Sequence, residues 1–167
     1  HGLPGREQEL ENWFKVIRAL GAAGIPATAT TFYAIGHFRT PATSGRGGAT
    51  YSTFDYEEYQ KDPKDFPDLH IDADHLWDNV QWWVERIAPV AEEAGVRIAL
   101  HPDDPPFEEP LGGAARIVTS IENYQRIFSY APGPGLGMLF CQGCVAEMGE
   151  DVPAAIRTMA QADKIVF

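Results

Sequence analysis

The sequence predicts an α/β protein with a parallel sheet, and two observations lead to this fold class. First, helical and strand patterns alternate strictly along the 167 residues, with a helix before each of four strands. Second, such alternation requires right-handed crossover connections, which place successive strands parallel in one sheet. Four such units amount to about half of a (β/α)8 TIM barrel, which usually has ~250 residues. A doubly wound sheet is the alternative, but no glycine-rich phosphate-binding turn follows any of the strands.

The first unit is a helix followed by a buried strand. Residues 7–23 carry apolar side chains at helical spacing, and Gly24 suits the position just after a helix. The apolar positions are Leu10, Phe14, Ile17 and Leu20. Residues 25–35 are rich in threonine, alanine and aromatic side chains, a composition that favours a strand.

The segment 36–69 is expected to be a long, irregular insertion loop, because it is dense in glycine, proline, serine, threonine and aspartate. Loops of this length are uncommon unless they are functional or disordered. His37, Arg39 and Arg46 lie in it, just past a strand end, in a chain with few cations. Guanidinium groups suit bidentate capture of a carboxylate. We therefore predict that these three residues bind an acidic substrate and that the loop becomes ordered around it, although pairing with surface acids is the alternative.

The second and third units follow this loop. A helix is predicted over 74–94, with a kink at Pro89, before a strand over 96–100. A capping-box pattern at 119–122 predicts a helix that ends near residue 130. Proline and glycine residues then form a turn before a strand over 136–141.

The fourth unit comprises a helix that Asp151 can cap, extending through Ala162, and a strand that begins at 164–167. The sequence stops within that strand pattern. We therefore expect residues 1–167 to be one incomplete barrel domain from a longer chain.

Composition and charge exclude several classes of protein. The chain has 13 basic and 24 acidic residues, a net charge of −11, so polyanionic nucleic acid and anionic membrane surfaces would repel it. An apolar content of 44% excludes intrinsic disorder. No run of about eighteen apolar residues is present to span a bilayer. With only two cysteines, a secreted disulfide scaffold is also excluded, and we expect a cytoplasmic protein.

Two metal-ligand side chains follow consecutive predicted strands, at the end where parallel α/β proteins carry their chemistry. His101 comes after the strand over 96–100, and Cys141 ends the strand over 136–141. Side-chain alternation puts both residues on the faces opposite the bulkier apolar side chains, and therefore toward the barrel axis. An imidazole and a thiolate suit manganese, iron or zinc better than magnesium or calcium.

Other interpretations of these residues exist. His101 can be a hydrogen-bonded structural residue, and Cys141 can be a small inert hydrophobe. The Cys141-x-x-Cys144 spacing also occurs in redox pairs, but those normally open a helix, and Glu147 and Glu150 disfavour a lowered thiol pKa. It also resembles half of a four-cysteine zinc site, but no second pair exists. We place Cys144 in a loop beyond the strand and predict that Cys141, not Cys144, is the metal ligand.

Several motifs resemble those of the D-mannonate dehydratase family. In this sequence they are FRT at 38–40, RGGA at 46–49, HPDDPP at 101–106, LGGAARI at 111–117 and FCQGC at 140–144. HPDDPP followed by LGGxARI is specific, whereas FCxG alone is weak. The resemblance extends from about residue 7 to 167, but it matches only the central part of a family member roughly twice as long.

The resemblance implies a xylose-isomerase-like (β/α)8 barrel that dehydrates D-mannonate to 2-keto-3-deoxy-D-gluconate. The family uses Mn²⁺ or Fe²⁺, held by two histidines, one cysteine and one aspartate, and His101 and Cys141 match the first histidine and the cysteine. The remaining ligands and the acid and base residues are expected past Phe167. On this basis the isolated 167 residues should be inactive and bind metal weakly, and the enzyme should be a homo-oligomer.

The sequence also departs from the family pattern. Its first strand contains Thr30-Thr31-Phe32-Tyr33, where mannonate dehydratases more often have Tyr-Asn-Phe. A related enzyme acting on another sugar acid is therefore an alternative. Two others are a metal-dependent sugar isomerase or epimerase of the same barrel class, and a non-catalytic fragment or binding module.

Overall fold

The computed structural model describes all residues from 1 to 167 and contains six α-helices and five strands. In chain order they are α1 (Arg6–Ala22), β1 (Ala27–Thr30), β2 (Thr40–Ser44), β3 (Thr50–Thr53), α2 (Tyr56–Lys61), α3 (Ala73–Ala94), β4 (Arg97–Leu100), α4 (Ile121–Ser129), β5 (Leu136–Met138), α5 (Gln142–Glu147) and α6 (Val152–Gln161). Single 3₁₀ turns occur at Arg46–Gly48 and Pro67–Leu69.

The central sheet is parallel, and its strands follow the chain order. β1 pairs with β4, and β4 pairs with β5. The segment 164–167 continues the sheet beside β5, because Met138 and Ile165 form a parallel bridge. The Met138 N–H donates to the Lys164 carbonyl at 2.6 Å. The predicted parallel order of four strand segments is therefore confirmed, although the last forms a bridge and not a complete strand.

Helix α3 forms the centre of the hydrophobic core. Its buried side chains recur at helical spacing and are Leu76, Val80, Trp83, Val84, Ile87, Ala88 and Ala91. Asp72 caps the helix by accepting from the His75 N–H, and Gly95 ends it at a φ of 68°. The predicted kink at Pro89 does not interrupt the helix, which is continuous over 22 residues. Neither α3 nor any other helix is long and apolar enough to cross a membrane.

Helix α1 packs closely on α3. Gly21 makes this approach possible, because a Cβ atom there would lie 2.3 Å from the Ala94 carbonyl oxygen. On the other side of α3, the buried side chains of Ile98 and Met138 join the same core. Ile98 lies on the face of β4 opposite His101, as side-chain alternation predicts, whereas Cys141 lies past the end of β5.

Two sheet strands are shorter than the sequence predicts. The strand expected over 25–35 contains only Ala27–Thr30, and that expected over 136–141 contains only Leu136–Met138. The His101 N–H makes the last hydrogen bond to β1, at the Thr30 carbonyl. Past Met138 the Leu139 and Phe140 N–H groups still donate to the Leu100 and Phe167 carbonyls, and the chain then turns into α5. The predicted capping box is also displaced, because Ser120, one residue later, caps α4 by accepting from the Asn123 N–H.

The segment 36–69 is not irregular, contrary to the prediction. β2 and β3 form an antiparallel hairpin, and the Thr43 and Thr53 hydroxyls lie 2.8 Å apart across it. Asp55 then caps α2 by accepting from the Glu58 N–H. Phe54 and Tyr56 hold the segment against Phe107 of the loop that follows β4. Within the segment, Phe38 packs against Tyr59. β-Branched and aromatic side chains thus give order to a stretch whose composition resembles a loop.

Candidate metal and substrate site

The His101 imidazole is oriented by its own turn. Its Nδ1 atom lies 2.7 Å from the Pro102 carbonyl oxygen. Because a carbonyl can only accept, Nδ1 carries the hydrogen of the neutral ring, and Nε2 keeps its lone pair. This is the arrangement that metal-binding histidines adopt when a second group fixes their tautomer.

Asp103 fixes the turn that carries His101. Its Oδ2 atom accepts hydrogen bonds from the Ile117 and Val118 N–H groups, each at 3.0 Å, and its own N–H donates to the Val118 carbonyl. The carboxylate is fully buried, and its other oxygen has no partner. Burial raises the pKa of Asp103 to about 6, against the opposing effects of Arg116 and the two N–H donors. The HPDDPP turn is thereby tied to the LGGAARI segment.

Cys141 and Cys144 lie at the start of α5, which the sequence did not predict. Cys141 is the residue before the helix, and Cys144 is buried in its first turn. Placing Cys144 in a loop was therefore wrong, and the Cys-x-x-Cys spacing does open a helix. That spacing of three residues was the signal in the sequence, because side chains three apart share a helix face. Burial, together with a hydrogen bond to Cys141, raises the pKa of the Cys144 thiol well above its usual range.

The three donors form one cluster. One imidazole nitrogen of His101 and the sulfur atoms of Cys141 and Cys144 all lie within 4.8 Å of one another. A tetrahedral ion with metal–sulfur bonds of about 2.3 Å needs its sulfur ligands about 3.8 Å apart. The donor set therefore fits a borderline or soft divalent metal after side-chain movements of about 1 Å. His101 and Cys141 are brought together as the sequence suggests, while their role as metal ligands stays a prediction.

A cavity of about 490 Å³ opens beside this cluster. Phe54, Tyr56 and Phe107 form its aromatic wall. Cys141 and Cys144 line another part of it. Its charged side chains are Arg39, Asp104 and Glu147. The cavity thus joins metal-type donors to groups that can bind a polar, acidic ligand.

Arg39 is the predicted cation that reaches this cavity. Its guanidinium donates to the Asp104 carboxylate at 2.6 Å, the Ser52 hydroxyl at 2.8 Å and the Phe38 carbonyl at 2.7 Å. A guanidinium has five N–H groups, so two remain for a ligand. His37 lies nearby, with its Nε2 atom 3.9 Å from the same Asp104 oxygen.

Arg46 is not brought to the cavity. It is exposed in the turn between β2 and β3, because the hairpin extends the segment away from the sheet. A different charged residue, Glu147, lines the cavity instead. Burial and the nearby Asp104 raise the pKa of Glu147, while Arg39 opposes that change. No functional role was predicted for Glu147, whose only signal is its place one turn after Cys144 on α5.

Comparisons with known proteins give one consistent result. The family model for D-mannonate dehydratase (UxuA) matches residues 57–167. The chain is 28% identical to the mannonate dehydratases of Geobacillus thermodenitrificans and Thermotoga maritima, over 99% of its length and 53% and 55% of theirs. The crystal structure of mannonate dehydratase from Streptococcus suis serotype 2 superposes with a TM-score of 0.89 at 29% identity, covering 99% of this chain and 50% of that one. The chain therefore spans about half the length of the curated relatives it matches, and the predicted fold class is confirmed.

Proposed function

The chain belongs to the D-mannonate dehydratase family, and from this premise we propose that it provides metal ligands and substrate contacts to an enzyme converting D-mannonate to 2-keto-3-deoxy-D-gluconate and water. The observation that carries the proposal is a donor cluster of His101, Cys141 and Cys144 whose two cysteines line a cavity that Arg39 also lines. The donors suit a transition metal, and the guanidinium suits the carboxylate of a sugar acid.

We propose that His101 and Cys141 hold Mn²⁺ or Fe²⁺. When bound, such an ion stabilises the negative charge that develops on substrate oxygens during loss of water. The Pro102 carbonyl keeps the Nε2 lone pair of His101 available by accepting the Nδ1 hydrogen. Asp103 prevents the turn from moving, because it ties the backbone beside His101 to residues 117 and 118.

Arg39 is proposed to bind the carboxylate of the substrate through the N–H groups that its protein partners leave free. Dehydration removes the hydrogen next to that carboxylate as a proton, and the neighbouring carbon loses its hydroxyl group. Fixing the carboxylate near the donor cluster orients both carbons for these steps. Asp104 and Ser52 hold the guanidinium in place, so little side-chain freedom is lost on binding. No catalytic acid or base is assigned within residues 1–167.

The proposal is tested with the full-length protein, stripped of metal and reloaded with Mn²⁺ or Fe²⁺. With D-mannonate, NMR should detect the 2-keto-3-deoxy acid, and mass spectrometry should show the loss of one water. A sugar isomerase or epimerase, the alternative in this barrel class, would give a product of unchanged mass. A protein that binds metal fully but removes no water from D-mannonate would refute the dehydratase assignment, and would instead fit another sugar acid or a binding role.

We also propose that the enzyme is a homo-oligomer, as the sequence led us to expect. Light scattering during size-exclusion chromatography measures this mass directly. A single species with the mass of one chain would refute it.

A further inference from the structure

The Cys144 thiol, in the first turn of α5, has no role in the ligand set that the family resemblance implies, yet it belongs to the donor cluster. Cys144 is 5% exposed, and its sulfur lies within 4.8 Å of both the Cys141 sulfur and an imidazole nitrogen of His101. Its backbone is fixed by helical hydrogen bonding, since the Met148 N–H donates to the Cys144 carbonyl at 2.9 Å. The sulfur is therefore held at the cluster by the helix and not by a mobile loop.

We propose that Cys144 is a further metal ligand, so that this chain alone supplies one imidazole and two thiolates to the ion. This inference rests on the metal site of the proposed function, but it adds a donor that the resemblance does not supply. Cys141 immediately precedes α5 and Cys144 lies in its first turn, so binding needs no rearrangement of the backbone that separates them. Two thiolates neutralise the charge of a divalent ion, which lowers the cost of placing it beside the buried Cys144 side chain.

A second thiolate changes which metals the site prefers. Thiolate ligands favour softer ions, whereas Mn²⁺ is usually held by oxygen donors. We therefore expect the protein to bind Zn²⁺ and Fe²⁺ much more tightly than Mn²⁺, and we expect Cys144 to account for part of this difference.

Spectroscopy of the metal-loaded full-length protein tests the inference without any turnover. X-ray absorption of the Zn²⁺ form should find two sulfur ligands in the unsubstituted protein and one in Cys144→Ser. In the Co²⁺ form, the sulfur-to-cobalt charge-transfer absorption should fall by about half in Cys144→Ser, since one of two thiolates is lost. Cys141→Ser is the matched control and should lose the other half. All samples are kept in a phosphine reductant so that both thiols stay free.

Affinity measurements provide a second readout. By competition with a chelator, Cys144→Ser should weaken Zn²⁺ binding by about tenfold or more, and Mn²⁺ binding by less. A sulfur count of one in the unsubstituted protein would overturn the inference, and this result does not depend on whether the variant folds. Unchanged charge-transfer intensity in a folded Cys144→Ser variant would also overturn it. Neither result bears on mannonate dehydration, so failure here is distinguishable from failure of the proposed function.

Discussion

Asp103 offers the sharpest test of how the site is held, because one buried oxygen organises two distant backbone groups. In Asp103→Ala, the N–H groups of Ile117 and Val118 lose their acceptor while staying buried. An unsatisfied buried donor costs about 1–3 kcal/mol, so the two together cost about 2–6 kcal/mol. Removal of the buried charge offsets part of this loss.

The size of that offset follows from the pKa of Asp103. Burial raises the pKa of Asp103 from 3.8 to about 6. Because one pKa unit corresponds to about 1.4 kcal/mol, the folded protein disfavours the charged carboxylate by about 3 kcal/mol relative to the unfolded chain. Subtracting this offset from the loss of about 2–6 kcal/mol leaves a decrease in the free energy of unfolding of at most about 3 kcal/mol for Asp103→Ala. Asp103→Asn also removes the charge but keeps an acceptor oxygen for the two N–H groups, so it should be more stable than Asp103→Ala.

The assay is urea unfolding of the metal-free full-length protein at neutral pH, followed by far-UV circular dichroism. The two variants must be compared with each other as well as with the parent protein. If Asp103→Asn is no more stable than Asp103→Ala, the two hydrogen bonds do not hold the turn as described.

Three further predictions concern the substrate contact, the packing of α1 on α3, and the Asp72–His75 pair at the start of α3. Arg39→Ala should raise the KM for D-mannonate about ten- to a hundredfold, because it removes a charge-assisted contact of about 1.5–3 kcal/mol. Arg46 lies outside the cavity, so Arg46→Ala should leave the KM unchanged. Equal effects of the two substitutions in steady-state assays would contradict this prediction. Gly21→Ala should lower the free energy of unfolding by up to about 2 kcal/mol, because overpacking against Ala94 costs about 1–3 kcal/mol and the gain in helix propensity is about 1 kcal/mol. Increased stability in urea unfolding would refute the close approach. Asp72 raises the pKa of His75, so the stability that the charged imidazole contributes is present below pH 6.5 and is lost as the pH rises through the raised pKa. In Asp72→Asn, an NMR titration should show the pKa of His75 falling toward 6.5. An unchanged pKa would contradict the pairing.

The sequence by itself determined the features that depend on neighbouring residues along the chain. The bounds of α3 follow to within a residue from apolar side chains at helical spacing, and those of α6 from the cap Asp151. The strict alternation of helix and strand predicted parallel strands in chain order, because the crossover hand leaves few other arrangements. His101 and Cys141 could be paired in advance, since both follow strands that end at the same edge of the sheet.

Only the tertiary structure decided the features that depend on partners far along the chain. A strand lasts as long as its neighbour offers hydrogen bonds, so the end of β1 could not be determined from its own residues. Arg39 faces Asp104, which is 65 residues away, and only the packing of the hairpin on the loop after β4 distinguishes it from Arg46. Cys144 joins the donor cluster because the chain turns into α5 directly after the sheet. In each case a contact between residues far apart in the sequence decides the structure, and a local sequence pattern does not encode such a contact.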